Sequence, residues 1–423
     1  MKEQTNVDST NTADVLIIGA GVAGLATAHK LRKQGHSVLV LEASDRIGGR
    51  AHTVEDQLST PLDLGARWLH NGENNPFVPI ARKLGFTLES MGRDHYAQGK
   101  HWLSSKEAKE PTEHVEASWK MIGMAGRRFR DTYASRVLKG NNRWRGLFQY
   151  ICSTQTGMDV AELSTQDICR YEESGSNYFV MGGLGKLIQQ WASDLPIQLE
   201  QPVEKISWHS SGVMVKSASR EFHGKKVALT CSVGALQSGH ITFSPEMPDW
   251  KKESFQKLTM GHLEMIAIEF SEDFLELEPN SNLYIQNASG TCIGFSIKPG
   301  GQQVVYGCIG GRQSQSLLAQ GENALVEFGL KQLERAYGKD LREYVIATSQ
   351  TAWGQDKWAN GALSAALLDG TKQREKLAQP IEQTLFFAGE ATSVSGFGSI
   401  HGAFASGARC AEEIHNTLQQ NMT

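Results

Sequence analysis

Apolar residues fall in short unbroken runs separated by polar and glycine-rich stretches. Residues 14–18 read DVLII, a continuous run suited to a strand buried on both faces of a parallel sheet. After GAGVAG, Leu25, Ala28 and Leu31 recur three apart on one helical face, and Gly35 stands where that helix would close. A second run, SVLVLE, ends at Glu42. Strand, helix and strand within about 30 residues predict a βαβ unit. Further on, MIAIEF (265–270) and VVYGCIGG (304–311) predict strands, and Asn323 to Tyr337 predicts a helix. Residues 114–137 mix charge with helix formers, which predicts a helix with the RRFR cluster on its solvated face. His401 to about Gln419 predicts a last helix with Ala403, Ala411, Ile414 and Leu418 inward, following the glycine-rich GFGSI. The first 13 residues are polar and predict a frayed tail.

Composition narrows the class. With 40% hydrophobic and 21% charged residues, the 423-residue chain is globular, with room for two to three domains or one large two-part fold. A net charge of −4 gives no basic footprint, so neither a nucleic acid nor an anionic membrane surface is expected as partner. No stretch of 18 apolar residues predicts a membrane helix, and the polar start has no secretory apolar core. The six cysteines form no CxxC pair and no zinc spacing. Free buried thiols, no metal and a cytoplasmic location are the expectations; the oligomeric state is not legible.

The glycines of GAGVAG carry the first chemistry. Gly19 permits the tight turn, Gly21 lets backbone approach a pyrophosphate, and Gly24 lets helix and strand pack closely. The helix start offers free N–H groups to phosphate. Glu42, 18 residues past Gly24, suits ribose hydroxyls and disfavours a 2′-phosphate. The unit therefore predicts dinucleotide binding. EASDRIGGR (42–50) then adds a second flexible element, Gly48-Gly49, and the cation Arg50 beside it.

On LEASDRIGGR after this βαβ unit, the chain resembles the flavin amine oxidase family of monoamine oxidases, polyamine oxidases and histone lysine demethylases. The resemblance runs from Val15 to about Ile414 and implies FAD as cofactor. It assigns Gly19, Gly21, Ala23, Gly24, Glu42, Ala43, Gly49 and Arg50 to the dinucleotide. DLGARWLH (63–70), with Gly65, Ala66, Arg67 and Trp68, looks like the segment passing the isoalloxazine ring. MGGLGKLI (181–188) resembles the family's glycine-rich helix start, and QPVEKI (201–206) its adenine-side strand, with Val203 in backbone contact. VALTCSVGAL (227–236) resembles an apolar strand and turn, with Ser232 where proline is usual. WGQDKWANGAL (353–363) matches a signature through Trp353 and Trp358. Residues 386–409 look like the closing flavin segment, where Gly389, Glu390, Ser399 and Ile400 contact the cofactor and Glu390 reaches a ribityl or ribose hydroxyl.

The fold so implied is α/β: a discontinuous Rossmann-like FAD-binding domain (14–78, 177–240 and 351–423) with an α+β substrate domain (79–176 and 241–350) roofing the flavin. The implied reaction is oxidation of a small amine, with hydride passing from the α-carbon to flavin N5 and the imine hydrolysing. Oxygen or another acceptor would take the electrons. Three departures matter. Met265 stands where many members keep a lysine. It is either a packed side chain or a wall without a cation, which would slow reoxidation by oxygen and favour a protein or quinone acceptor. Leu363 and Ser399 stand where monoamine oxidases place two amine-flanking rings, leaving Phe397 as a one-sided substitute. No cysteine falls at 360–365, so FAD is expected to be non-covalent. His70 and Met265 are the catalytic candidates; His70 either meets the substrate amine or bonds backbone. The competing expectation is an FAD-dependent oxidase or desaturase of a non-amine or ring C–H substrate. A chromatin-associated module is a third, and no long heptad run supports it.

Overall fold

The computed structural model describes residues 11–128, 130–138, 140, 142–218, 220–271 and 275–420. The first apolar run forms strand Thr12–Ile18, which lies parallel to Val38–Leu41 on one side and Arg220–Leu229 on the other. Its last four residues are buried, as a central parallel strand requires. This sheet of eight strands continues through Gly212–Ser217, Val203–His209 and Thr242–Ser244, with Ile197–Gln198 at the opposite edge. Leu385–Phe387 adds to it in parallel, beside Arg220–Leu229. The sheet thus draws strands from both ends of the chain.

Two helices join those ends. Helix Val22–Lys33 follows the glycine turn, and helix Ile400–Gln420 packs on it. Thr27 Oγ1 donates to Gly407 O at 3.2 Å, and a Cβ on Gly407 would fall 2.2 Å from Ala23 O. Only a residue without a side chain allows that approach. Val15, Leu25, Phe386 and Ile414 bury into one core between helices and sheet.

A second sheet has seven strands in the order Val345–Gln350, Leu263–Phe270, Val304–Gly310, Cys292–Ile297, Ser281–Gln286, Asp94–Gln98 and His101–Trp102. Alternation divides strand Leu263–Phe270. Ile266 and Ile268 pack with Leu330 and Leu333 of helix Ala324–Tyr337, while Met265 and Ala267 turn to the other face with Tyr306. Met265 pairs with Cys308 and Ala267 with Tyr306. Strand Leu258–Gly261 pairs with Leu363–Ala366 as a separate ribbon.

Several expectations change in detail. Thr12 and Ala13 belong to the first strand rather than to a frayed tail, because they pair with His223 and Gly224; residues 1–10 lie outside the described residues. The helix expected over 114–137 runs from Lys109 to Gly126, and a short one follows at Ala134–Val137. Arg127 and Arg128 therefore follow the helix end instead of lining its face, and Phe129 lies outside the described residues. Helix Gly311–Leu318, not expected from the sequence, starts directly where strand Val304–Gly310 stops.

Candidate functional site

A cavity of about 1540 Å³ reaches from the glycine turn to the face of the second sheet that carries Met265, Tyr306 and Cys308. At its first end the turn is built as expected. Gly19 has φ +104°, and a Cβ on Gly24 would meet Gly19 O at 2.0 Å and Thr230 Oγ1 at 2.8 Å. Gly24 therefore sets the packing behind the turn and does not itself line the cavity. At Gly21 a Cβ would meet nothing within 4 Å, so this position faces open space where a phosphate chain can lie. Gly48 donates its N–H to Ala20 O at 2.8 Å and bridges to Gly21, which lays the second glycine element on the first.

Glu42 is buried and oriented from both sides. Its carboxylate accepts from Ala20 N at 2.6 Å and from Ser44 N and Oγ at 3.0 and 2.8 Å. Ala23, Ala43, Gly49 and Val203 also line this end. Open Gly21, a buried acid held toward the cavity and a free helix start fit an adenine dinucleotide.

The next stretch is tied across the chain. Arg50 donates to Glu390 Oε1 at 2.9 Å and to Ala362 O at 2.8 Å. Glu390 also accepts from Ser364 Oγ at 2.6 Å and from Gly398 N at 2.7 Å. Burial would raise its pKa, but Arg50, Ser364, Arg374 and Gly398 together hold it below the ordinary carboxylate value. Much of its acceptor capacity is thus committed to protein groups. Gly389 sits behind the wall, donating to Ser406 Oγ at 2.9 Å. Ser399 Oγ accepts from Gly402 N at 3.1 Å and so caps helix Ile400–Gln420, whose start reaches the cavity at Ile400. Ser232 does the same for helix Val233–Gln237, accepting from Ala235 N, which gives a local reason for serine there.

Ala66 donates to Arg50 O at 2.9 Å, and Trp353 Nε1 to Leu64 O at 2.7 Å, so Gly65, Ala66, Arg67 and Trp68 form one wall with Trp353. Trp358 lines the cavity nearby, under Lys357. Arg67 is 8% exposed, with its Cζ 3.9 Å from the centre of the Tyr306 ring. Burial lowers its pKa and Tyr306, Asp63 and Cys308 oppose that, yet a guanidinium stays charged.

This changes the picture at Met265. Met265 lines the cavity, 9% exposed, and packs with Tyr306 and Cys308. Cys308 is its strand partner, and Arg67 lies over Tyr306 on the same face. Met265 is thus packed on this wall, and Arg67 brings a cation to the same face from another segment. Lys257 follows the end of helix Asp249–Gln256 and pairs with Glu253.

His70 Nδ1 donates to Asn177 Oδ1 at 3.0 Å, which leaves Nε2 as an acceptor on a residue that lines the cavity. Burial holds its pKa below the ordinary value, with Asn177 and Glu173 pulling partly back. Burial and then His70 push neighbouring His401 down to about 4. Both imidazoles are neutral near pH 7.

Leu363 and Ser399 line the cavity and form no aromatic pair, but Phe397 stands edge-on to Tyr171, with ring centres 5.4 Å apart. Tyr171 was missed in the sequence, as were Tyr150, Tyr284 and Trp119 of the same cavity. Each stands in a segment without a motif, and no spacing marks it. Among the described residues there is no His, Cys, Asp or Glu group suited to a metal, and no helix long and apolar enough to cross a membrane.

These features have counterparts among known proteins. Polyamine oxidase 3 of Oryza sativa subsp. japonica is 30% identical over 444 residues, covering 96% of this chain and 89% of that protein. Cyclohexylamine oxidase from Brevibacterium oxydans IH-35A has a similar fold, with a TM-score of 0.81 at 21% identity over 96% of this chain and 99% of that one. A putrescine oxidase bound to putrescine gives a TM-score of 0.79 at 18% identity, over 95% of this chain and 99% of that one. A family model for flavin containing amine oxidoreductase matches residues 22–415. With that match and the polyamine oxidase relationship, the chain belongs to the flavin-containing amine oxidoreductase family.

Proposed function

We propose that this enzyme holds FAD without a covalent bond and oxidises a small amine by removing hydride from the carbon beside the nitrogen. The observation that carries this is one cavity joining the dinucleotide turn at Gly21 and Glu42 to the uncharged imidazole of His70. When bound, FAD supplies the hydride acceptor. Glu42, fixed by Ala20 and Ser44, holds a ribose, and the N–H groups at Gly21 and Ala23 receive phosphate. Arg50 and Glu390 lock the two cofactor-side segments together.

At the far end, His70 Nε2 accepts an amine N–H, and a neutral ring does not repel a base that must lose its own proton to react. Tyr171 and Phe397 wall the apolar part of the substrate and keep water from the α-carbon. The relatives named for polyamines, putrescine and cyclohexylamine support an amine as the substrate class. Oxygen or another acceptor then takes the electrons.

The test is anaerobic. Diamines, polyamines and cyclic amines are added in turn to the flavin-loaded enzyme, and loss of flavin absorbance is read. Bleaching by amines is expected. Bleaching only by nitrogen-free ring compounds would overturn the amine assignment in favour of ring or carbon–carbon oxidation.

A further inference from the structure

Arg67 carries a buried charge with no direct partner among the described residues. Among the described residues, no carbonyl, carboxylate or hydroxyl accepts a hydrogen bond from its guanidinium; its contacts are the faces of Tyr306, Phe179 and Trp68. Asp63 acts on it only through space, because its oxygens accept from Thr53, Leu184 and Gly185. A charge buried without a hydrogen-bonded partner is unfavourable, so a site that keeps one is built to receive the opposite charge.

We infer that Arg67 is the positive charge that meets the negative charge passed to FAD when the amine is oxidised. This rests on the amine oxidation proposed above. In that step the α-carbon's C–H bond breaks and two electrons leave with the proton as hydride. The nitrogen lone pair forms the C=N bond of an iminium cation, and the flavin, as oxidant, gains one negative charge. A guanidinium already in place stabilises that charge without reorganising, and it does so strongly where water is excluded.

Two observations favour the cofactor over a substrate carboxylate as the partner. The backbone that carries Arg67 is fastened to the cofactor clamp, through Ala66 N to Arg50 O and Leu64 O to Trp353. Its guanidinium also lies over Tyr306, on the buried sheet face where Met265 and Cys308 pair, among residues that line the same cavity as Gly21 and Glu42.

The test uses the flavin-loaded enzyme and three variants, Arg67→Lys, Arg67→Gln and Arg67→Met. Flavin content is read first; a wild-type enzyme without flavin would defeat the cofactor assignment itself, a separate failure. Sulfite affinity and the two-electron midpoint potential are then measured, since sulfite addition also leaves the ring negatively charged. The neutral variants are expected to bind sulfite about tenfold more weakly or worse, matching a midpoint lowered by about 30 mV or more. Arg67→Lys should stay within about threefold of wild type. Neutral variants with wild-type sulfite affinity and potential would overturn the inference. So would a rise in KM confined to carboxylate-bearing amines, which would make Arg67 a substrate anchor. Should one neutral variant lose flavin, the other and Arg67→Lys carry the same comparison.

Discussion

Arg50 donates to Glu390 across 340 residues of sequence, and the 2.9 Å bond ties the second glycine element to the last cofactor segment. The bond belongs to a larger buried group. Arg374 donates to Ser364 Oγ at 2.8 Å and pairs with Asp167 at 2.8 Å, and Ser364 donates to Glu390. Carboxylate and guanidinium charges thus alternate from the cavity wall inward.

Removing Glu390 should leave Arg50 and Arg374 with less compensation and Gly398 N without its acceptor. Glu390→Ala is expected to cost about 3–5 kcal/mol at pH 7, read by urea denaturation. The pH dependence has a definite sign. Its folded-state pKa is held below the ordinary carboxylate value, so its contribution is present above the unfolded value and is lost as pH falls through the folded one. The gap between wild type and Glu390→Ala should therefore narrow on acidification below about pH 4. A gap unchanged down to pH 3 would show that Glu390 does not stabilise as an anion.

Glu42 makes a second case. Its bonds to Ala20 N and Ser44 show that it orders the turn as well as offering an acceptor to ribose. Glu42→Ala should weaken FAD retention by about 1.5–3 kcal/mol, roughly 10- to 100-fold. Equilibrium dialysis of the apoenzyme measures it, and unchanged affinity would remove Glu42 from the cofactor site. In the same preparation, FAD should leave with the acid supernatant; flavin kept on the precipitated chain would refute non-covalent binding.

The cofactor end was legible because its chemistry is local. Gly19, Gly21, Gly24 and Glu42 belong to one βαβ unit, so spacing alone states their geometry. The wall around the substrate was not. Tyr171 meets Phe397 from 226 positions away in sequence. Arg67 was visible in DLGARWLH, but its closeness to Met265 depends on the pairing of Met265 with Cys308 and of Ala267 with Tyr306. Register between distant strands is a tertiary property. Segment by segment, Met265 stays open between a packed side chain and a wall without a cation; the fold packs it against Tyr306 and brings Arg67 to the same face from elsewhere.

His70 should act as a neutral acceptor throughout the physiological range, because burial keeps its pKa below the usual imidazole value. His70→Ala should lower kcat/KM for an amine by about 3- to 10-fold, the worth of one neutral hydrogen bond. The ratio of wild-type to variant kcat/KM should be flat between about pH 6.5 and 8.5. A ratio that titrates within that window would mean that His70 carries charge during turnover.

Met265→Lys would place an ammonium on the face that already holds Arg67. The position is 9% exposed and packed with Tyr306 and Cys308, so the new charge is desolvated and faces a like charge. The single variant should lose several kcal/mol of stability, whereas Met265→Leu, of similar volume, should lose less than about 1.5. The like-charge share can be isolated. Adding Arg67→Met removes the repulsion, so Met265→Lys should cost about 1–3 kcal/mol less in that background than in wild type. Urea denaturation of the four chains gives the coupling energy directly. A coupling near zero would place Arg67 and residue 265 too far apart to share one electrostatic environment, contrary to the geometry of this sheet face.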